Sequence, residues 1–158
     1  MTDARWIDID ADFAAAAEHF ANGCTLYDVG GFDAPGIDGY RARMALMHAL
    51  QSAYTSAEAG MLRLLRLLSE EAPQGEDWHY KLIERLRGGI EGERSRPPVF
   101  SDDVASDLHE TRSFRHRVIH GYGDFKAERA LPSIEAARRL STALPIAVDA
   151  FKRLIDDG

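Results

Sequence analysis

Cysteine is almost absent: Cys24 is the only one in 158 residues. One thiol closes no intramolecular disulfide and is too little for a cysteine-built zinc centre, so Cys24 reads as a small apolar residue on a helix. Basic charge is also in short supply. Nineteen Lys and Arg face 26 Asp and Glu, a net charge of -7, which excludes a protein that grips nucleic acid with its whole surface. Any contact with RNA must run through a local basic patch. No stretch reaches the roughly 18 uncharged apolar residues of a membrane span. The opening Met1-Thr2-Asp3-Ala4-Arg5-Trp6 lacks a basic region leading into an apolar run, so no secretory signal is expected and the cytoplasm is the expected compartment. Internal repeats, low-complexity tracts and windows of strand-like alternation are missing as well.

What is present suits an ordinary globular protein. Apolar residues make up 45% and charged residues 28%, which leaves no case for global disorder. The length suits one domain over 1–158 with a real core. Helical periodicity accounts for most of the chain. Phe13, Ala17, Phe20 and Cys24 place a first helix over about 7–27, ended by Gly30-Gly31 and the Asp33-Ala34-Pro35-Gly36 loop. Met44, Met47, Leu50, Tyr54, Ala57, Met61, Leu65 and Leu68 form a sustained stripe over about 40–71, which Gly60 would bend or split. The Met residues there read as core filler. A third helix is expected over about 77–88, with Trp78 packing inward and His79 facing solvent. Gly88-Gly89 and Pro97-Pro98 then interrupt the helical pattern. Ser101 caps a fourth helix, with Asp102 and Asp103 at the positive end of its dipole. That helix runs to about His120 and stops at Gly121. The last begins near Pro132 or Ser133, carries Leu140, Leu144, Val148, Phe151 and Ile155, and should kink at Pro145. The expected fold is an all-α antiparallel bundle of about five helices.

The fourth helix contains an anomaly. On a wheel of about 100° per residue, Val104, Leu108, Thr111, Val118 and Ile119 share one face, and Arg115 falls near its middle. Arg112, His109, His116 and His120 lie on one flank, so half of the six histidines gather in this segment. A guanidinium on an apolar face is costly unless it is paired, reaches solvent or lines a site. Three readings are open. Arg115 snorkels, or pairs with a carboxylate such as Glu58 or Glu84, and the histidines form an ordinary polar face. His116 and His120, at i and i+4, bind a metal, although the His-Glu-x-x-His pattern is absent and nearby arginines disfavour a dication. Or the segment works on a phosphodiester: histidine moves protons near neutrality and arginine grips phosphate in a fork. That third chemistry requires no metal.

At these residues the sequence resembles the HepT toxins of the HEPN superfamily. The signature is an Arg, four residues, a His, any residue and a Tyr, and it reads here as Arg115, His116-Arg117-Val118-Ile119, His120, Gly121, Tyr122. The polar position after the Arg is filled by His116. The resemblance covers the motif firmly and the rest of the helical layout loosely. The segment 76–100 is not part of the usual signature. The resemblance implies a metal-independent endoribonuclease that leaves a 2′,3′-cyclic phosphate and needs no cofactor. Arg115 would hold the scissile phosphate, His120 would act as general base or acid, and His116 would orient or assist. Arg112 and Arg117 would supply further phosphate contacts. It also implies a homodimer that joins two motifs in one cleft, and a nucleotidyltransferase antitoxin that transfers AMP to Tyr122, where the added charge would block substrate phosphate. The alternative is a non-catalytic partner of the HEPN type that binds a nucleotidyltransferase or a nucleotide.

Overall fold

A computed structural model describes residues 4–120 and 125–156, with the backbone alone for 118–120. The helices it contains are α1 (Ala4–Val29), α2 (Ile37–Leu67), α3 (Trp78–Arg87), α4 (Asp102–His120) and α5 (Ala127–Asp156). The chain is all-α. Among the described residues the only strand-like pairing is an isolated antiparallel bridge between Ile90 and Arg96. Among the described residues no helix is long and apolar enough to cross a membrane.

The apolar stripes meet as their spacing requires. Met47, Leu50, Tyr54, Ala57, Met61 and Leu65 of α2 are buried against Trp6, Ile9, Phe13 and Phe20 of α1. Leu140, Leu144, Val148 and Phe151 bring α5 into the same core, and Val104, Leu108 and Thr111 bring α4. Each fully buried Leu or Phe contributes on the order of 1.5–3 kcal/mol relative to exposure, so these stripes dominate the stability of the bundle.

Three boundaries differ from the sequence expectation. Helix α2 is not split at Gly60. A Cβ there would lie 2.8 Å from Cε2 of Phe13, so this glycine lets an aromatic ring of α1 press onto the α2 backbone. The helix ends at Leu67 rather than near Glu71. Ser69 takes a left-handed φ of 58°, and the amides of Ser69 and Glu70 donate to the carbonyls of Arg66 (3.0 Å) and Leu65 (2.9 Å). This pair of bonds closes a Schellman stop without glycine. Helix α5 begins at Ala127, well before Pro132, and continues through both Pro132 and Pro145. Both prolines lie beyond the first four residues of the helix, so each lacks the amide that would bond to the carbonyl four residues back, and the helix continues past them with those bonds missing.

The connection from α3 to α4 is held by one buried arginine. Arg96 donates to both carboxylate oxygens of Glu70 at 2.5 and 3.0 Å. It also donates to the carbonyls of Gly88 (3.0 Å), Arg85 (3.1 Å) and Pro97 (3.3 Å). Phe100 then packs edge-on against Phe13, with centroids 6.5 Å apart. This tether fixes α3 beside the end of α2 and delivers the chain to the start of α4. Ser101 caps α4 as expected: its Oγ accepts from the Val104 amide at 3.2 Å, and Asp102 and Asp103 occupy the first turn. Replacing Ser101 with Ala should cost about 1 kcal/mol of stability, measurable by urea unfolding. A loss below a few tenths would mean that the dipole and acidic first turn suffice without the hydroxyl.

Candidate active site

Helix α4 crosses α2 on the face that carries Leu108 and Thr111, and Arg115 is the next residue on that face, one turn further on. Its guanidinium lies over the ring of Tyr54, with Cζ 5.6 Å from the centroid. Glu58, one turn beyond Tyr54 on α2, faces it, with 3.7 Å between Arg115 Nη1 and Glu58 Oε1. The second oxygen of the same carboxylate, Oε2, lies 2.5 Å from Nδ1 of His79 on α3. A carboxylate accepts, so Nδ1–H is the donor. One buried carboxylate from α2 thus joins an arginine of α4 to a histidine of α3.

Burial decides how these groups behave. The Glu58 side chain is only 10% exposed, whereas Arg115 retains 23% and His79 34%. A carboxylate so enclosed would be costly alone and is offset by its two partners. The Tyr54 phenol is fully enclosed. Burial first, and then the Glu58 charge, push its pKa far above the usual phenol range, against the pull of Arg112 and Arg115. It therefore stays a neutral hydroxyl at any physiological pH. The Nε atoms of Arg112 and Arg115 are both buried and make no hydrogen bond among the described residues. The contact to Glu58 is also longer than a hydrogen bond, so the Arg115 fork is not saturated by it.

The other residues read from the sequence divide into those near this cluster and those outside it. Arg112 sits next to it, with Cζ 5.7 Å from the Tyr80 ring of α3. His109 is committed elsewhere. It stacks on Tyr80 at 4.7 Å, and its Nε2 meets Glu84 Oε2 at 3.1 Å. Glu84 in turn takes two bonds from Arg87 at 3.0 Å, and the Arg87 and His109 bonds hold its carboxyl below the usual carboxylate range. His109 therefore ties α3 to α4. Arg117 turns toward α5: its Nη2 lies 3.7 Å from Oε1 of Glu110, which also accepts from Ser133 Oγ at 2.9 Å. His116 is exposed on α4. The side chain of His120, and the whole of Gly121 and Tyr122, lie outside the described residues.

His79 does not face solvent as its place in the sequence suggests: two thirds of its side chain is covered, and it is bonded to Glu58. Trp78 packs partly buried against the core as expected, with its ring 3.7 Å from that of His79. Glu58 and Glu84 were equal candidates to pair Arg115, and the fold separates them: Glu58 meets Arg115 while Glu84 serves Arg87 and His109. Tyr54 was legible only as a core residue. The arrangement offers a partly exposed guanidinium next to a carboxylate-anchored imidazole, a pairing suited to holding an anion and moving a proton.

No curated protein and no solved structure gives a significant match to the chain. The family described as HepT-like protein matches residues 45–155, well over half of the chain, and the matched region includes Tyr54, Glu58, His79 and the whole of α4. The chain belongs to the HepT-like family.

Proposed function

We propose that this protein is a metal-independent endoribonuclease, acting as the toxin of a HEPN and nucleotidyltransferase pair. The observation that carries the reading is Arg115: a guanidinium on the apolar face of α4, 23% exposed and with an unused buried Nε, five residues before the motif histidine. Membership of the HepT-like family supports it.

The chemistry follows from what RNA cleavage demands. The 2′-hydroxyl oxygen attacks phosphorus, a base takes its proton, and the phosphoryl oxygens gain charge. Arg115, flanked by Arg112, supplies fixed positive charge with fork geometry for those oxygens. His120 is the base, and His116 assists in orientation. The products are a 2′,3′-cyclic phosphate and a 5′-hydroxyl. A net charge of -7 makes RNA capture depend on this patch rather than on the surface as a whole, so binding should be weak in salt. Two copies of the chain would place two such motifs in one cleft. The nucleotidyltransferase partner would add AMP at Tyr122, putting negative charge where substrate phosphate must sit.

The test is direct. Purified protein, freed of its partner, should cut single-stranded RNA in the presence of EDTA. Cleavage abolished by EDTA would overturn the metal-independent mechanism. If no RNA is cut at any protein concentration while a stable complex with the nucleotidyltransferase persists, the chain is a binding module.

A further inference from the structure

The ribonuclease scheme leaves one proton unaccounted for. When the bond between phosphorus and the 5′-oxygen breaks, that oxygen leaves as an alkoxide unless a second group protonates it. The motif supplies one histidine in the base role. We propose that His79, a residue outside the Arg-to-Tyr signature, is the proton donor to the 5′-oxygen. The proposal rests on the ribonuclease reading.

Three observations carry it. His79 and Arg115 share one carboxylate: Glu58 Oε2 lies 2.5 Å from His79 Nδ1 and Oε1 lies 3.7 Å from Arg115 Nη1. A phosphate on the Arg115 fork is therefore within side-chain reach of the His79 ring. The Nδ1–H bond to Glu58 orients the ring, and in the imidazolium form, where both ring nitrogens carry hydrogen, Nε2 holds the transferable proton. The ring is braced on one side by Trp78, at 3.7 Å between centroids, yet the side chain keeps 34% of its surface open. A histidine that served only to tie α3 to α2 would have no need of that opening. The tether through Arg96 already holds α3 in place.

The step balances without any further reagent. The 2′-hydroxyl proton passes to His120, the O2′–P bond forms, the P–O5′ bond breaks, and the 5′-oxygen takes the proton from His79 Nε2. Water returns the proton from His120 to His79 before the next turnover. Arg115 and Arg112 stay charged throughout and stabilise the phosphoryl oxygens.

The discriminating experiment uses two RNA oligonucleotides that differ in one bridging atom. One has the natural 5′-oxygen at the cleavage site and the other has sulfur there. A thiolate leaves without a proton, because thiols are far more acidic than alcohols. The variant is His79→Asn, whose amide nitrogen can still donate to Glu58 but cannot deliver a proton. His79→Asn should cut the oxygen-linked RNA about 100-fold more slowly than the wild type and the sulfur-linked RNA at close to the wild-type rate. His79→Ala should show the same selective loss. Equal losses on both linkages, or no loss on either, would overturn the donor role while leaving the ribonuclease reading intact. A wild-type protein that cuts neither oligonucleotide would overturn the ribonuclease reading, and this inference with it.

Discussion

Replacing Arg115 with Ala should lower RNA cleavage by about a thousandfold, the scale of losing a preorganised charge at a developing oxyanion. The size follows from its setting. The guanidinium is held over the Tyr54 ring, three quarters covered, so its field is less screened than that of a surface arginine. Arg115→Lys should recover little of the loss, since an ammonium cannot present two parallel donors and sits differently on an aromatic ring. Initial rates with saturating and subsaturating RNA separate the roles: a fall in kcat means transition-state stabilisation, and a rise in KM alone means ground-state binding. If Arg115→Ala cuts RNA at the wild-type rate, the phosphate is held elsewhere. Arg117, paired with Glu110 on the α5 side, would then be the residue to test.

The second large effect is expected at Glu58. Glu58→Ala removes the one group that both Arg115 and His79 face, and two consequences follow. Stability should fall by about 2 kcal/mol, less than for a fully buried pair because both partners reach solvent. Cleavage should fall about 100-fold even where the protein is folded, because the arginine and the imidazole lose their common anchor. Urea unfolding gives the first number and rates well below the unfolding midpoint give the second. Glu58→Gln separates charge from shape. Its amide can still accept from His79, so stability should largely return, while the neutral group no longer balances the Arg115 charge. An undiminished rate in Glu58→Ala would reduce the carboxylate to a packing partner and remove the main support for grouping these three residues.

Much of this site could be read before any fold was known. An arginine among Val104, Leu108 and Thr111 is a contradiction that wheel geometry exposes, and the fold places Arg115 on that face, over Tyr54 and opposite Glu58. The Ser101 cap and the α2 stripe were legible for the same reason: each is a local pattern with a local cause. His79 was not. Its contact with Glu58 depends on which face of a ten-residue helix meets α2, and that is set by Arg96 gripping Glu70 and the carbonyls around Gly88, contacts that span up to 26 residues. Gly60 shows the same limit: a glycine mid-helix reads as a weakness until Phe13 is seen to need the space. The choice between Glu58 and Glu84 also turned on tertiary geometry, since both are acidic residues on neighbouring helices and only one lies under Arg115.

In the proposed mechanism the 2′-hydroxyl of RNA is the nucleophile, activated and stabilised by protein side chains alone. The chemistry of the cut ends reports on this most directly. Mass spectrometry of a defined oligonucleotide, cleaved by the purified protein in EDTA, should show 2′,3′-cyclic phosphate on one fragment and 5′-hydroxyl on the other. A 3′-hydroxyl with a 5′-phosphate would mean that water rather than the ribose attacked, and would contradict the arginine and histidine mechanism proposed for α2, α3 and α4.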